Sequence, residues 1–298
     1  MDAEQEEAEV AAITAAFRAA GAQADVRVVP PEQMQDEVRA CWDAPERPRA
    51  VVVAGGDGTV SCAAGAAAGT DIVLGALPLG TFNHFAKDIA LSDELGAAVA
   101  ELVGGDVRSI DAAEVNGRVF VNNSVLGLYP DLVAVRDRIR DQRGWGKVRA
   151  VPVALVDVLR RFPMHRLDLR GPAYERRHVR TPLVFVGNGV FGNEDGGAPT
   201  RDDLADGFLG VAVSRAKSRW GLVRSALRAL VRGAEDVDDI DTVALTELTV
   251  DVHVRHVRVA VDGEICWMES PLRYRIRPGA LQVLVPPAFD PPADAPAT

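Results

Sequence analysis

Four apolar residues in a row, Val51-Val52-Val53-Ala54, run directly into Gly55-Gly56-Asp57-Gly58-Thr59 and then into an alanine-rich stretch. A short unbroken apolar run is the signature of a strand buried on both faces, which occurs in parallel sheets covered by helices. The glycine turn hands that strand to a helix expected over about residues 60–68. A strand, a tight turn and a helix in this order commit the chain to an α/β layer. The flanking sequence agrees. Residues 3–20 carry Val10, Ile13 and Phe17 at helical spacing, and Gly21 is a plausible stop. Residues 24–29 alternate and predict a strand, 33–42 a helix, 72–77 a second buried strand, and 82–90 the start of a helix.

The second half reads differently. Asn116-Gly117 predicts a hairpin between apolar neighbours. Residues 183–186, 209–213, 248–254, 257–261 and 281–285 predict strands, with Asp206-Gly207 and Asp262-Gly263 in the turns. Helices are expected over 151–162 and 219–231. Many short strands with glycine turns indicate a sandwich-like β domain. The expected organisation is an α/β domain over 1–110, a β-sandwich-like domain over 111–288 and a Pro-rich tail over 289–298.

Composition and charge narrow the function. The 298 residues are 48% hydrophobic and 26% charged, enough apolar material for real cores. No run approaches the length of a transmembrane helix, and the acidic start MDAEQEEAEV lacks the basic, apolar order of a secretory signal. Three widely spaced cysteines, Cys41, Cys62 and Cys266, suit a reduced cytoplasmic setting better than a disulfide framework. The net charge is −10, which argues against nucleic acid as a partner. Residues 136–232 nevertheless hold 20 Lys and Arg against 10 Asp and Glu. That basic segment is either a solvated surface or a face for anionic lipid headgroups. Within its reach, residues 129–149 mix Leu and Val with Arg at helical spacing and include Trp145. Such a stretch suits docking to an anionic bilayer, or packing on the second domain with its charges in solvent. The five histidines (residues 84, 165, 178, 253 and 256) read as surface or packing residues rather than metal ligands.

The glycine turn is a candidate phosphate cradle. Glycines let the backbone approach an anion, and the amides at a helix start point at it. Thr59 can cap the helix or bond a phosphate oxygen. Asp57 beside a phosphate would be repulsive without a metal or ordered water, which points to a nucleotide–metal role. The turn is not a Walker loop, and Ser61 stands where a GxGxxG fingerprint needs its third glycine. A plain strand-to-helix turn explains the glycines equally well. One strand later Pro78-Leu79-Gly80-Thr81-Phe82-Asn83 forms a second turn. Turns after neighbouring parallel strands face one crevice. Asn83 is also a natural N-cap.

Taken with Leu204-x-Asp206-Gly207 and Asp262-Gly263-Glu264, these motifs stand in the order found in the soluble diacylglycerol kinase catalytic-domain family, which the sequence resembles from about residue 20 to 286. The family includes sphingosine and ceramide kinases. Each Asp-Gly pair alone is as well explained by a hairpin; the joint order carries the resemblance. GGDGT is shared with NAD kinases, whereas PLGTxN with a late DGE is more specific to lipid kinases.

The resemblance implies a Rossmann-like ATP domain followed by a β-sandwich-like domain, with the active site between them. It implies ATP held by Gly55, Gly56, Asp57, Gly58, Thr59, Ser61, Thr81 and Asn83. Mg2+ would be bound by Asp206, with Asp203 and the Phe208 carbonyl nearby. Glu264 would be the general base toward a lipid hydroxyl, Asp262 would lie close to it, and Asp57 would join a network of water and metal. The implied activity is transfer of the γ-phosphate of ATP to diacylglycerol or a similar lipid. A sphingoid or other long-chain alcohol as acceptor stays open, as does an inactive nucleotide-binding relative. The expected location is cytoplasmic, with peripheral attachment at the inner face of the membrane. The oligomeric state is open, a homodimer included. Two departures stand out. The family opens with a strand ending in an Asn-Pro-x-Ser/Ala-Gly turn that has no counterpart here, so a gap beside 51–54 and a partial cradle are expected. His84 follows Asn83 where many relatives have Asp.

Overall fold

The computed structural model describes residues 3–127, 164–172, 174–192, 200–201, 203–216, 218, 221 and 240–289. The amphipathic stretch 129–149, the helix expected over 151–162 and, Gly221 apart, the helix expected over 219–231 lie outside the described residues. The chain divides into two compact units, Met1–Ala112 with Pro278–Thr298, and Ala113–Arg277. The first unit thus takes back the chain from Pro278, residues that the order of motifs along the sequence groups with the second domain. Among the described residues no helix is long and apolar enough to cross a membrane.

The first unit is α/β. Helix α1 (Ala3–Ala19) is closed as Gly21 predicts. Gly21 takes φ 80°, and the Ala22 amide reaches back to the Phe17 carbonyl at 2.9 Å, the pattern of a glycine-terminated helix. Helix α2 (Met34–Trp42) buries Val38 and Trp42. Strands β1 (Val51–Gly55) and β2 (Val73–Pro78) pair in parallel, with Val51 opposite Leu74 and Gly55 opposite Pro78. Between them runs α3 (Asp57–Ala67), which buries alanines along its length. Small side chains let that helix lie close to the sheet. After β2 come the short α4 (His84–Asp88) and α5 (Leu95–Gly104). The Glu94 carboxylate caps α5 by accepting the Gly96 and Ala97 amides at 3.0 and 2.7 Å.

Two expectations are corrected here. Residues 24–29 form no strand and pair with no ladder. Alternation selects an extended backbone, yet a strand also needs a neighbour to bond. Strand β1 is not buried on both faces: Val51 and Val52 are half-buried and Ala54 is exposed. It pairs only with β2 among the described residues, and an edge strand is left partly open.

The second unit is antiparallel β. Strands β3 (Asp106–Val115) and β16 (Leu272–Val285) contribute residues to both units. Strand β4 (Arg118–Phe120) returns along β3. One sheet runs in the order β12 (Ile240–Leu245), β11 (Leu209–Ser214), β8 (Leu183–Asn188), β5 (Asn123–Gly127), β14 (His256–Val261), β15 (Glu264–Glu269). The other includes the opening residues of β16, then β13 (Glu247–Asp251), β6 (His165–Gly171) and β7 (Tyr174–Thr181), with β3 beside β16 and β4 beside β3, and the short β9 (Phe191–Gly192) and β10 (Thr200–Arg201) pair on their own. Inward residues of both sheets, among them Leu169, Val250, Leu272 and Tyr274 from one and Leu126, Val186, Val211 and Val259 from the other, share a single core. This is sandwich architecture. The expected strand 248–254 stops at Asp251 because His253 turns the chain at φ 57°.

Candidate active site

In the first unit the two predicted turns are pressed together. The parallel register of β1 and β2 sets Gly55 beside Pro78, and the Leu79 amide bonds the Gly55 carbonyl at 3.2 Å. A side-chain carbon on Gly80 would lie 2.3 Å from the Gly56 Cα, so Gly80 could not accept one without a backbone shift, whereas a carbon on Gly56 would meet the Gly80 Cα at a tight 3.3 Å. Thr59 folds its hydroxyl over Gly55, where an added carbon would lie 2.5 Å from Oγ1. Helix α3 begins at Asp57, three residues earlier than its alanine run suggests, with Gly56 as N-cap. The opening amides of a helix have no intrahelical acceptor. Here they stand at the end of a parallel strand pair, which is where such sheets take ligands. Ser61 is buried one turn into the helix. Asp57 accepts the Phe85 amide at 3.3 Å, which ties the first turn to the helix after the second.

Asn83 does not cap α4 through its side chain. It adopts φ 53° and turns its amide back into the loop, accepting the Gly80 amide at 2.9 Å and donating to the Pro78 and Gly80 carbonyls at 3.2 and 3.1 Å. The side chain thus braces the turn that carries Gly80 and Thr81. His84 stacks on the exposed Phe82 ring at 5.8 Å.

The remaining candidates lie in the second unit. Asp262 and Gly263, at φ 46° and 82°, form a two-residue turn joining β14 to β15. Positive φ at both positions is the geometry for which Asp-Gly is selected. Asp262 is 7% exposed. Its carboxylate accepts the Val121 amide at 2.8 Å and the Asn122 and Asn123 amides at 2.9 Å, while its own amide bonds the Asn123 carbonyl at 2.8 Å. Its geometry is that of a brace. Glu264 is the first residue after the turn. It is solvent-exposed, and Arg118 Nη2 meets its Oε2 at 2.6 Å. Nothing in the local sequence flags Arg118, which is 146 positions away.

Asp203, Asp206 and Phe208 share one turn. Asp206 accepts the Val190 and Phe208 amides at 2.9 and 2.8 Å, Asp203 accepts the Ala205 amide at 2.7 Å, and the Phe208 carbonyl receives the Gly189 amide at 3.0 Å. Two carboxylates and a carbonyl are hard oxygen donors, the kind Mg2+ takes along with water. No cluster of three or more His, Cys, Asp or Glu suited to a metal occurs among the described residues. His178 and His253, read as surface or packing residues, converge with Arg176 on the buried Asp168. Arg176 foremost, then His178, holds that carboxyl below its ordinary range against the opposing effect of burial.

Comparison with known proteins places this arrangement. Residues 3–115 match the family described as "Diacylglycerol kinase catalytic domain", and residues 134–285 match "YegS C-terminal NAD kinase beta sandwich-like domain". A Mycobacterium tuberculosis protein named diacylglycerol kinase is 31% identical over 251 residues, covering 80% of this chain and 77% of its own. A Pseudomonas savastanoi protein named "Probable lipid kinase YegS-like" is 30% identical over 269 residues, covering 84% of each. A crystal structure of a diacylglycerol kinase from Bacillus anthracis shares the fold with TM-score 0.66 at 17% identity, over 95% of this chain and 93% of that one. With both profiles matched in order along its length, the chain belongs to the diacylglycerol kinase catalytic-domain family.

Proposed function

We propose that this chain is an ATP- and Mg2+-dependent lipid kinase that transfers the γ-phosphate of ATP to the free hydroxyl of diacylglycerol or a closely similar lipid. The observation that carries the reading is the Gly56–Gly80 contact. It joins two turns at the ends of adjacent parallel strands into one nook, in which Gly80 has no room for a side chain against Gly56. A backbone-walled nook at a helix start suits a chain of phosphates. The names borne by the Mycobacterium tuberculosis and Pseudomonas savastanoi relatives support a lipid acceptor.

In this reading Gly55, Gly56, Asp57, Gly58, Thr59, Ser61 and Thr81 hold the nucleotide, and Asn83 keeps the second turn in shape. Asp203, Asp206 and the Phe208 carbonyl hold Mg2+, which when bound neutralises phosphate charge. Glu264 takes the proton of the lipid hydroxyl as that oxygen bonds to the γ-phosphorus and ADP departs. Asp262 fixes the turn that presents Glu264. The substrate is collected at a membrane surface, where the basic segment 136–232 favours anionic lipid.

The test is transfer of radiolabel from ATP to a panel of diacylglycerol, ceramide, a long-chain base and NAD, with wild type and Glu264→Gln. Labelled diacylglycerol is expected, with a loss of at least about 100-fold in the variant. Full turnover by the variant removes Glu264 as base. ATP binding without labelled product favours a nucleotide-binding, non-catalytic relative. Label on the long-chain base or NAD reassigns the acceptor.

A further inference from the structure

Two hairpins of the second unit are built alike. Asn116-Gly117, at φ 49° and 83°, joins β3 to β4, with Val115 opposite Arg118. Asp262-Gly263 joins β14 to β15, with Val261 opposite Glu264. Each loop has two residues, and the first residue after each is one half of the Arg118–Glu264 ion pair. A two-residue turn of this type fixes the register of its strands, so both side chains leave rigid, short anchors. The hairpins are also tied together by Asp262, whose carboxylate grips the chain just beyond β4 at Val121, Asn122 and Asn123. Asp262 therefore fixes where the backbone of Glu264 sits. It does not fix where the Glu264 carboxylate points.

We propose that Arg118 does so: it is the positioning residue that holds Glu264 Oε2 and leaves Oε1 as the oxygen that receives the proton. The inference rests on the reading of Glu264 as general base. An arginine suits the task because its guanidinium stays charged and offers no acceptor, so it can orient the base without competing for the proton. The proton passes from the acceptor hydroxyl to Oε1 as the oxygen–phosphorus bond forms and the bond to ADP breaks; the charge of Arg118 is unchanged throughout. The contact is poorly explained as a structural device. Glu264 and Arg118 side chains are 58% and 40% exposed, and exposed ion pairs add little to stability.

The experiment is steady-state kinetics of lipid phosphorylation by the full chain and four variants: Arg118→Ala, Arg118→Lys, Glu264→Gln and the Arg118→Ala/Glu264→Gln double. Arg118→Ala is expected to lower kcat about 10- to 100-fold, the usual consequence of a misplaced catalytic group. KM for ATP and the thermal midpoint stay near those of wild type. Arg118→Lys should recover part of the loss, since it restores charge without the planar fork. In the Glu264→Gln background, Arg118→Ala should cost nothing further. Wild-type kcat in Arg118→Ala beside an impaired Glu264→Gln would overturn the role of Arg118 and leave the base standing. An equal loss in both backgrounds would also overturn it, since Arg118 would then act on something else. Full activity of Glu264→Gln would remove the base itself, and this inference with it.

Discussion

Gly80 shows how one hydrogen atom in place of a side chain can decide a local structure. An alanine there would put its carbon 2.3 Å from the Gly56 Cα and 2.7 Å from Asn83 Oδ1. The first of these is backbone and cannot swing aside. Gly80→Ala is expected to cost about 1–3 kcal/mol in urea denaturation, the range for overpacking, and to weaken nucleotide binding in isothermal titration. Gly104→Ala is the control, because its added carbon would meet only Pro287 Cγ at 3.9 Å. A Gly80→Ala protein as stable as that control would mean the two turns do not touch in solution. The sequence announced these glycines as a tight turn and a possible cradle. It did not announce the brace: Asn83 reads as a helix cap, and only its positive φ and inward bonds give it another task. Arg118 was illegible for a plainer reason, since a contact across 146 positions leaves no local pattern.

Among the elements, the hairpins were the easiest to read, because Asn-Gly and Asp-Gly solve a backbone problem that few other pairs solve. That explanation has a measurable side. Gly117 and Gly263 take φ 83° and 82°, and a carbon added to either would meet nothing within 4 Å. Alanine at each should therefore cost about 1–2 kcal/mol through backbone conformation alone, with no packing penalty. A cost near zero in thermal unfolding would show that the turns relax to another type. Other strands escaped notice. Strand β7 offers only Val179 as an inward aliphatic among Arg176, Arg177, His178 and Arg180, so its charged residues hide the period of two. Strand β16 does alternate, with Leu272, Tyr274 and Ile276 against Arg273, Arg275 and Arg277, but Pro278-Gly279 interrupts the pattern before the apolar run that was recognised. Helix α5 is announced chiefly by its Glu94 cap, and capping by Glu is uncommon enough to be overlooked.

For the molecule as a whole, acid is the natural weak point. Among the described residues four carboxyls are held below their ordinary range: Asp168 chiefly by Arg176, Asp241 chiefly by Arg215, Asp71 chiefly by Trp42 and Glu94 chiefly by the Ala97 amide. A carboxyl whose folded value is depressed stabilises the fold above its unfolded value and loses that contribution as pH falls through the folded one. The thermal midpoint should therefore be nearly level between about pH 7 and 5 and drop steeply below about pH 4, where carboxyls protonate. A midpoint that holds to pH 3 would mean these pairings are not kept in solution. At this scale the division into an α/β layer and a β-sandwich was legible from hydrophobic period together with the glycine turns. The return of the chain from Pro278 to the first unit was not, because a strand carries no mark of which neighbour it will join. The seam between Gly56 and Gly80 has one more implication. At the two glycines there is no side chain to shorten, lengthen or recharge, so mutation cannot retune the seam itself without a backbone shift. Any drift in what the nook accepts must come from the side chains around that seam, from Thr59 and Thr81 or from Leu79 and Phe82, which stand open to solvent.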